Sequence, residues 1–277
     1  MHKRMTRRSL AGVVAVFLLL VVFPTILLAT HSWGGYHWAR TSNPFNIKLG
    51  DNVAPAWDQY LNNSSVDWSL SSVLDTSVVT GGANPKNCRP TNGRVEVCNS
   101  TYGNTGWLGV AQIWITGGSH IYQGTVKVND TYFNTSTYNT YAWREMVMCQ
   151  EIGHTFGLNH QDENFNNPNL GTCMDYTNNP SRNDGAGDNT RPNQHDYDEL
   201  AIIYQHLDST TTISAATAGS KAPPAMNDID LSGPEQWGKV VSGSRAAGHS
   251  VHELDFGNGN KVITFVLWAR DNGNPNH

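Results

Sequence analysis

The chain has 277 residues, of which 38% are hydrophobic and 15% charged, with nine Trp and a formal net charge of −5. That is enough apolar material for one generous domain, or one domain with a small appendage, and it excludes a wholly disordered chain. Sparse charge with abundant Asn, Ser, Thr and Gly is the profile of an extracellular protein more than of a cytosolic one.

Lys3, Arg4, Arg7 and Arg8 precede an uncharged, mostly apolar stretch over 10–29. A basic segment followed by an apolar one reads as a secretory signal, with residues 1–31 as the leader. The run is also just long enough to span a bilayer, so a retained signal-anchor is the alternative. Either way the rest of the chain is expected outside the cytoplasm, secreted or anchored facing out. A membrane is a partner only if the leader is kept. The leader holds four of the 18 basic residues and no acids, leaving 14 basic against 23 acidic residues and a net charge of −9. Such an acidic chain argues against nucleic acid as a partner.

Residues 32–38 and 45–49 read as short strand-like pieces. A helix is expected over 51–61, with Asp51 as its N-cap and Val53, Ala56, Trp57, Tyr60 and Leu61 at helical spacing. From about 71 to 128 the signals are β, clearest at 94–97, 109–115 and 121–128. A helix over 141–158 ends at a Gly-containing turn. An Asn/Asp/Gly-rich loop follows, then a second helix over about 192–207. Residues 209–230 read as a linker, and 231–277 as a small β-hairpin extension turning at 257–260. The order implies a mixed α+β domain over 32–208, in which the early helix crosses between strands.

Four cysteines stand at 88, 98, 149 and 173. In an oxidising compartment the even count suggests two disulfides, Cys88–Cys98 and Cys149–Cys173; buried, unpaired cysteines are the alternative.

The chemistry concentrates in residues 150–160, Gln-Glu-Ile-Gly-His-Thr-Phe-Gly-Leu-Asn-His. On a helix, Gln150 and His154 lie one turn apart on one face and can reach the same metal ion. Glu151 lies beside them, within reach of a metal-bound water. Gly157 can take a positive φ, ending the helix so that His160 swings back as a further ligand.

This stretch resembles the metzincin signature H-E-x-x-H-x-x-G-x-x-H, and most closely that of bacterial matrixin-like zinc peptidases. Glu151, His154, Gly157 and His160 match, and Gln150 stands where the family has His. Cys173-Met174-Asp175-Tyr176 resembles the family's Met-turn. The resemblance implies a metzincin-like catalytic domain: a twisted mixed sheet, a crossover helix, an active-site helix, a Met-turn and a C-terminal helix. It implies a secreted endopeptidase, acting as a monomer on protein or peptide substrates, with Zn²⁺ held by His154 and His160. Glu151 would be the general base that activates the zinc-bound water. Tyr176 occupies the place of the tyrosine that contacts the metal or the tetrahedral intermediate in astacin-like and serralysin-like members. By the same analogy the strand at 121–128 would be the edge that pairs with an extended substrate.

Gln150 leaves three readings open. Its amide oxygen coordinates zinc more loosely than an imidazole; or the site is a relic, and the protein an inactive extracellular binding module; or another group, such as Tyr176, a water or a distant His, fills the position. A Cys149–Cys173 bridge would tie the active helix to the Met-turn. His37, His120, His195 and His206 read as solvated or satisfied histidines rather than a structural metal site. Asp175, Asp184, Asp188 and Asp196 raise calcium as a second cofactor, without EF-hand spacing.

Overall fold

A computed structural model describes residues 31–213, 222–226 and 229–270. The basic and apolar leader lies outside them, and among the described residues no helix is long and apolar enough to cross a membrane. The chain builds a mixed α+β fold on one nine-stranded sheet.

The first strand, β1 (His37–Trp38), pairs in parallel with the later β6 (His120–Asn129). Next, β2 (Phe45–Asn52) buries Phe45, Ile47 and Leu49 on alternate positions, the period-2 pattern of a half-covered strand. The helix expected at 51–61 forms later, as α1 (Asp58–Trp68). Asp51 is not its cap: it lies within β2, where its Oδ1 accepts from the Val53 amide at 3.1 Å. Pro55, which has no N–H to donate, follows the strand, so helical hydrogen bonding starts only beyond it. Helix α1 then crosses from β2 to its parallel neighbour β3 (Leu74–Thr80).

Strand β4 (Val95–Ser100) lies between β2 and β6, parallel to both. Strand β5 (Trp107–Thr116) runs antiparallel to β6, and the short α2 (Asp130–Phe133) follows β6. Helices α3 (Tyr141–His154) and α4 (Gln194–Ile203) are shorter at their ends than the sequence pattern suggests. Both disulfides form: Cys88 with Cys98, and Cys149 with Cys173.

The C-terminal strands β7 (Lys239–Ser244), β8 (His249–Gly257) and β9 (Asn260–Trp268) join the same sheet, in the order β3-β2-β4-β6-β5-β9-β8-β7. Strand β9 pairs antiparallel with β5 from Trp107 to Ile115. This overturns the expected edge strand. The segment at 121–128 lies inside the sheet, flanked by β4 and β5, and the outer edge of β5 is occupied by β9.

Strands β5 and β6 are buried almost throughout because both faces of the sheet are covered. Leu108, Ala111, Ile113, Val126 and Val128 belong to the main core with α1 and α3. Val110, Trp114, Tyr122 and Val266 belong to a second cluster, closed by Met226, Leu231 and Trp237.

Candidate functional site

Helix α3 starts at Thr140, whose hydroxyl accepts from the Trp143 amide at 3.3 Å. From Arg144 to His154 every residue is buried. The helix presses close to the sheet: a methyl group at Gly109 of β5 would lie 2.4 Å from Glu151 Oε1. On its other side the Trp68 indole of α1 donates to the Cys149 carbonyl at 3.1 Å.

The helix ends at His154, and the chain turns at Gly157, whose φ of +95° suits glycine and where a Cβ would collide with the Tyr36 carbonyl oxygen. Trp33 N–H donates to Gly157 O at 3.0 Å. His160 comes back to His154, ring centroids 4.5 Å apart and nearly perpendicular. Gln161 N–H donates to Met174 O at 2.7 Å and Tyr176 N–H to Asp162 O at 3.2 Å, which lays this loop along residues 174–176. The Cys149–Cys173 bridge ties that segment to α3, and the Met174 sulfur packs against Gly153 from below.

His154 Nδ1 lies 2.9 Å from the Leu158 carbonyl, which can only accept, so Nδ1 carries the proton and Nε2 keeps its lone pair. Burial pushes the His154 pKa down to about 4, against the Leu158 hydrogen bond, and holds His160 well below the usual range. Both imidazoles are therefore neutral at pH 7, as metal ligands must be. Burial drives the Glu151 carboxyl well above the usual range; the Ala111 amide pulls the other way. Gln150 donates its amide N–H to Cys173 O at 2.8 Å and leaves Oε1 buried with no partner.

The hydrogen-bond census here is unusual. Gln150 Oε1 and both His160 nitrogens are buried without a hydrogen-bond partner. Buried polar groups are normally satisfied, and the Gln150 oxygen and the unprotonated nitrogen of the neutral His160 ring are lone pairs that a cation would satisfy. The donor set fits zinc: two neutral imidazoles and an amide oxygen, with the Glu151 carboxyl beside them.

Tyr176 stands at the same place. Its ring lies 4.0 Å from that of His160 and is stacked between Phe165 and His249, at 4.8 and 4.7 Å. Burial, with Glu151 and Glu163 nearby, raises its hydroxyl pKa well above the usual value.

Three neighbours were not singled out in the sequence. Phe265 of β9 lies flat on the His154 ring, centroids 4.3 Å apart. His249 of β8 faces Tyr176, and its Nε2 lies 3.2 Å from Glu163 Oε2. Glu163 also lies 4.0 Å from His160 Nδ1. Nothing local to residues 249 or 265 marks them, because only strand pairing across the sheet brings them to α3. The site is consequently roofed, with Glu151, His154 and Tyr176 each 1% exposed.

The four aspartates considered for calcium do not share a centre. Asp175 accepts from Leu170 and Asn189, Asp184 pairs with Arg182, Asp188 accepts from Thr190, and Asp196 caps α4 and accepts from Thr172. Of the four other histidines, His195 stacks on His31, while His37, His120 and His206 gather around Asp208, away from α3.

No family model matches the chain, and no curated protein matches it significantly. Among solved structures it is similar to one described as "Structure of Myroilysin", at 12% identity, covering 64% of this chain and 83% of that one with a TM-score of 0.33. A likeness that slight carries no functional argument.

Proposed function

We propose that residues 150–176 form the zinc centre of an extracellular endopeptidase of metzincin type, held closed by its own C-terminal hairpin. The observation that carries this reading is the cluster of buried donors with lone pairs left unsatisfied on and beside one helix turn. His154 and His160 are neutral with lone pairs to offer, the Gln150 oxygen is unsatisfied, and Glu151 stands next to them.

Zinc, when bound, supplies a Lewis acid for the scissile carbonyl and a water acidic enough to attack near pH 7. The chain's own groups do the rest. His154 is oriented by its bond to the Leu158 carbonyl. Ionised once a cation sits beside it, Glu151 would take the proton of the attacking water and pass it to the leaving amine. Tyr176, neutral at any physiological pH, offers a hydroxyl to developing negative charge.

The substrate in this reading is an extended polypeptide that takes the place of β9 on β5. Strand β9 already runs antiparallel to β5, as a bound peptide strand would, and Phe265 covers His154 from that side. The hairpin is therefore the latency element, and turnover requires it to leave.

Casein hydrolysis by the zinc-loaded protein, before and after limited proteolysis within 209–230, tests this. Activity that rises after cleavage and disappears in Glu151→Ala supports it; activity that persists in Glu151→Ala refutes the assigned base. The second reading, an inactive extracellular binding module, is favoured by one observation: the Gln150 amide is turned into a bond with Cys173. Zinc content well below one per chain in zinc-supplemented buffer, with no hydrolysis before or after cleavage, would decide for it.

A further inference from the structure

A second set of metal-ligand side chains lies on the other side of the molecule's first strand. β1 and β6 pair with His37 directly beside His120. The segment after α4 is drawn to the same place by Arg40, which is almost wholly buried. Its guanidinium donates to the carbonyl oxygens of Tyr204 (2.7 Å) and His206, and Arg40 O accepts from Asp208 N at 2.9 Å. These bonds deliver His206 and Asp208 onto His37.

The two oxygens of Asp208 are divided in their duties. Oδ2 accepts from Arg40 N at 3.2 Å and from Arg40 Nη1 at 3.0 Å. Oδ1 faces three imidazoles through Nε2: His120 at 3.2 Å, His37 at 3.6 Å and His206 at 3.8 Å. His37 Nε2 and His206 Nε2 are 3.2 Å apart.

The tautomer of His37 is fixed by its other nitrogen. Nδ1 lies 2.8 Å from the Gly35 carbonyl, which can only accept, so the ring proton sits on Nδ1. In the neutral ring that burial favours, Nε2 is then a bare lone pair aimed at a carboxylate oxygen and a second imidazole nitrogen. A proton on His206 Nε2, whose tautomer this contact leaves open, or a cation at the centre would satisfy that lone pair. An Nδ1–H held by a backbone carbonyl, with Nε2 directed inward, is also how metal-binding histidines are oriented.

The spacing fits zinc. Bonds of about 2.0–2.1 Å at tetrahedral angles put neighbouring zinc ligands roughly 3.3–3.4 Å apart. The three separations among His37, His206 and Asp208 are 3.2, 3.6 and 3.8 Å, which bracket that value. Among the described residues these three form the group of His, Cys, Asp or Glu whose ligand atoms all converge. Two imidazole nitrogens and one carboxylate oxygen suit zinc better than the oxygen-seeking magnesium or calcium.

We propose that His37, His206 and Asp208 form a zinc centre separate from the site on α3, with His120 held against the Asp208 carboxylate as a supporting contact. It clamps the start of the domain, the β5–β6 turn and the chain after α4 to one another.

The test uses the full chain carrying His154→Ala and His160→Ala, so that zinc on α3 does not contribute. This protein is expected to retain one zinc after dialysis and, loaded with Co²⁺ instead, to show the visible absorption of tetrahedral cobalt. Adding His206→Ala, at a half-exposed ring, is expected to weaken zinc binding by about 100-fold or more and to abolish those bands. Adding Asp208→Asn, which keeps the side-chain shape, is expected to do the same and stands in if the first variant does not fold. No bound metal in the parent, or metal and cobalt bands that survive both substitutions, overturns the proposal. In that case the contact between His206 and His37 is an ordinary imidazole–imidazole hydrogen bond. Neither result bears on peptidase activity, so this centre and the one on α3 stand or fall separately.

Discussion

Phe265 of β9 and His154 of α3 lie face to face, centroids 4.3 Å apart and planes within 4° of parallel. A residue from the last strand thus forms the roof over a residue of the signature helix. Removing the ring in Phe265→Ala should uncover His154 Nε2. Zinc loss to a chelator is expected to speed up by about tenfold, at a stability cost of about 3–5 kcal/mol for the deleted aromatic. Phe265→Leu keeps more of the packing and should give an intermediate rate. Identical release kinetics in all three proteins would show that Phe265 does not guard the site.

Gln150→His restores an imidazole at the position facing His154. Zinc affinity, measured by competition with a chromophoric chelator, is expected to rise by about tenfold or more, because imidazole nitrogen is the better zinc donor. Unchanged affinity would mean that the buried Oε1 is not a ligand, and that its bond from Nε2 to Cys173 is its whole role.

Glu151→Gln keeps the shape but not the base. Casein hydrolysis by the cleaved, zinc-loaded protein is expected to fall by about 10²–10⁴-fold while zinc content holds. Loss of zinc together with activity would recast Glu151 as a ligand.

Glu145, one turn before Cys149, titrates away from the site. Burial pushes its carboxyl up to about 7, with hydrogen bonds from Asn63 and Tyr141 opposing. The folded pKa is above the unfolded one, so the protonated acid is the form the fold prefers. Its contribution is fully present below about pH 4.5 and is lost as pH rises through about 7. Glu145→Gln should therefore match the wild type at pH 4.5 and exceed its stability by about 1–3 kcal/mol at pH 8 in urea unfolding. A difference that is the same at both pH values would refute this assignment.

The motif at 150–160 was legible because its geometry is local. One helical turn sets Gln150 beside His154, and a single positive-φ glycine sets the return of His160. The three strands that stand out most clearly between 71 and 128 appear as β4, β5 and β6 for an equally local reason: short β-branched and aromatic runs bounded by Gly, Asn and Pro. The early helix was misplaced because Val53, Ala56 and Trp57 mimic its spacing while pairing to β3 and β4 holds residues 51 and 52 in the strand. His37, His120 and His206 looked like unrelated surface histidines, since nothing within ten residues of any of them announces the other two.

The sequence by itself determined the helix turn that carries the candidate ligands, the glycine that turns the chain after it and the cysteines that bridge Met174's segment to it. All of these depend on separations of a few residues, or on one covalent bond. Only the tertiary structure decided which strand edges remain free, what covers His154 and which distant histidines meet at Asp208. Those outcomes come from sheet order and from the burial of Arg40 and Phe265. They join residues up to 171 positions apart, a distance over which local periodicity carries no information.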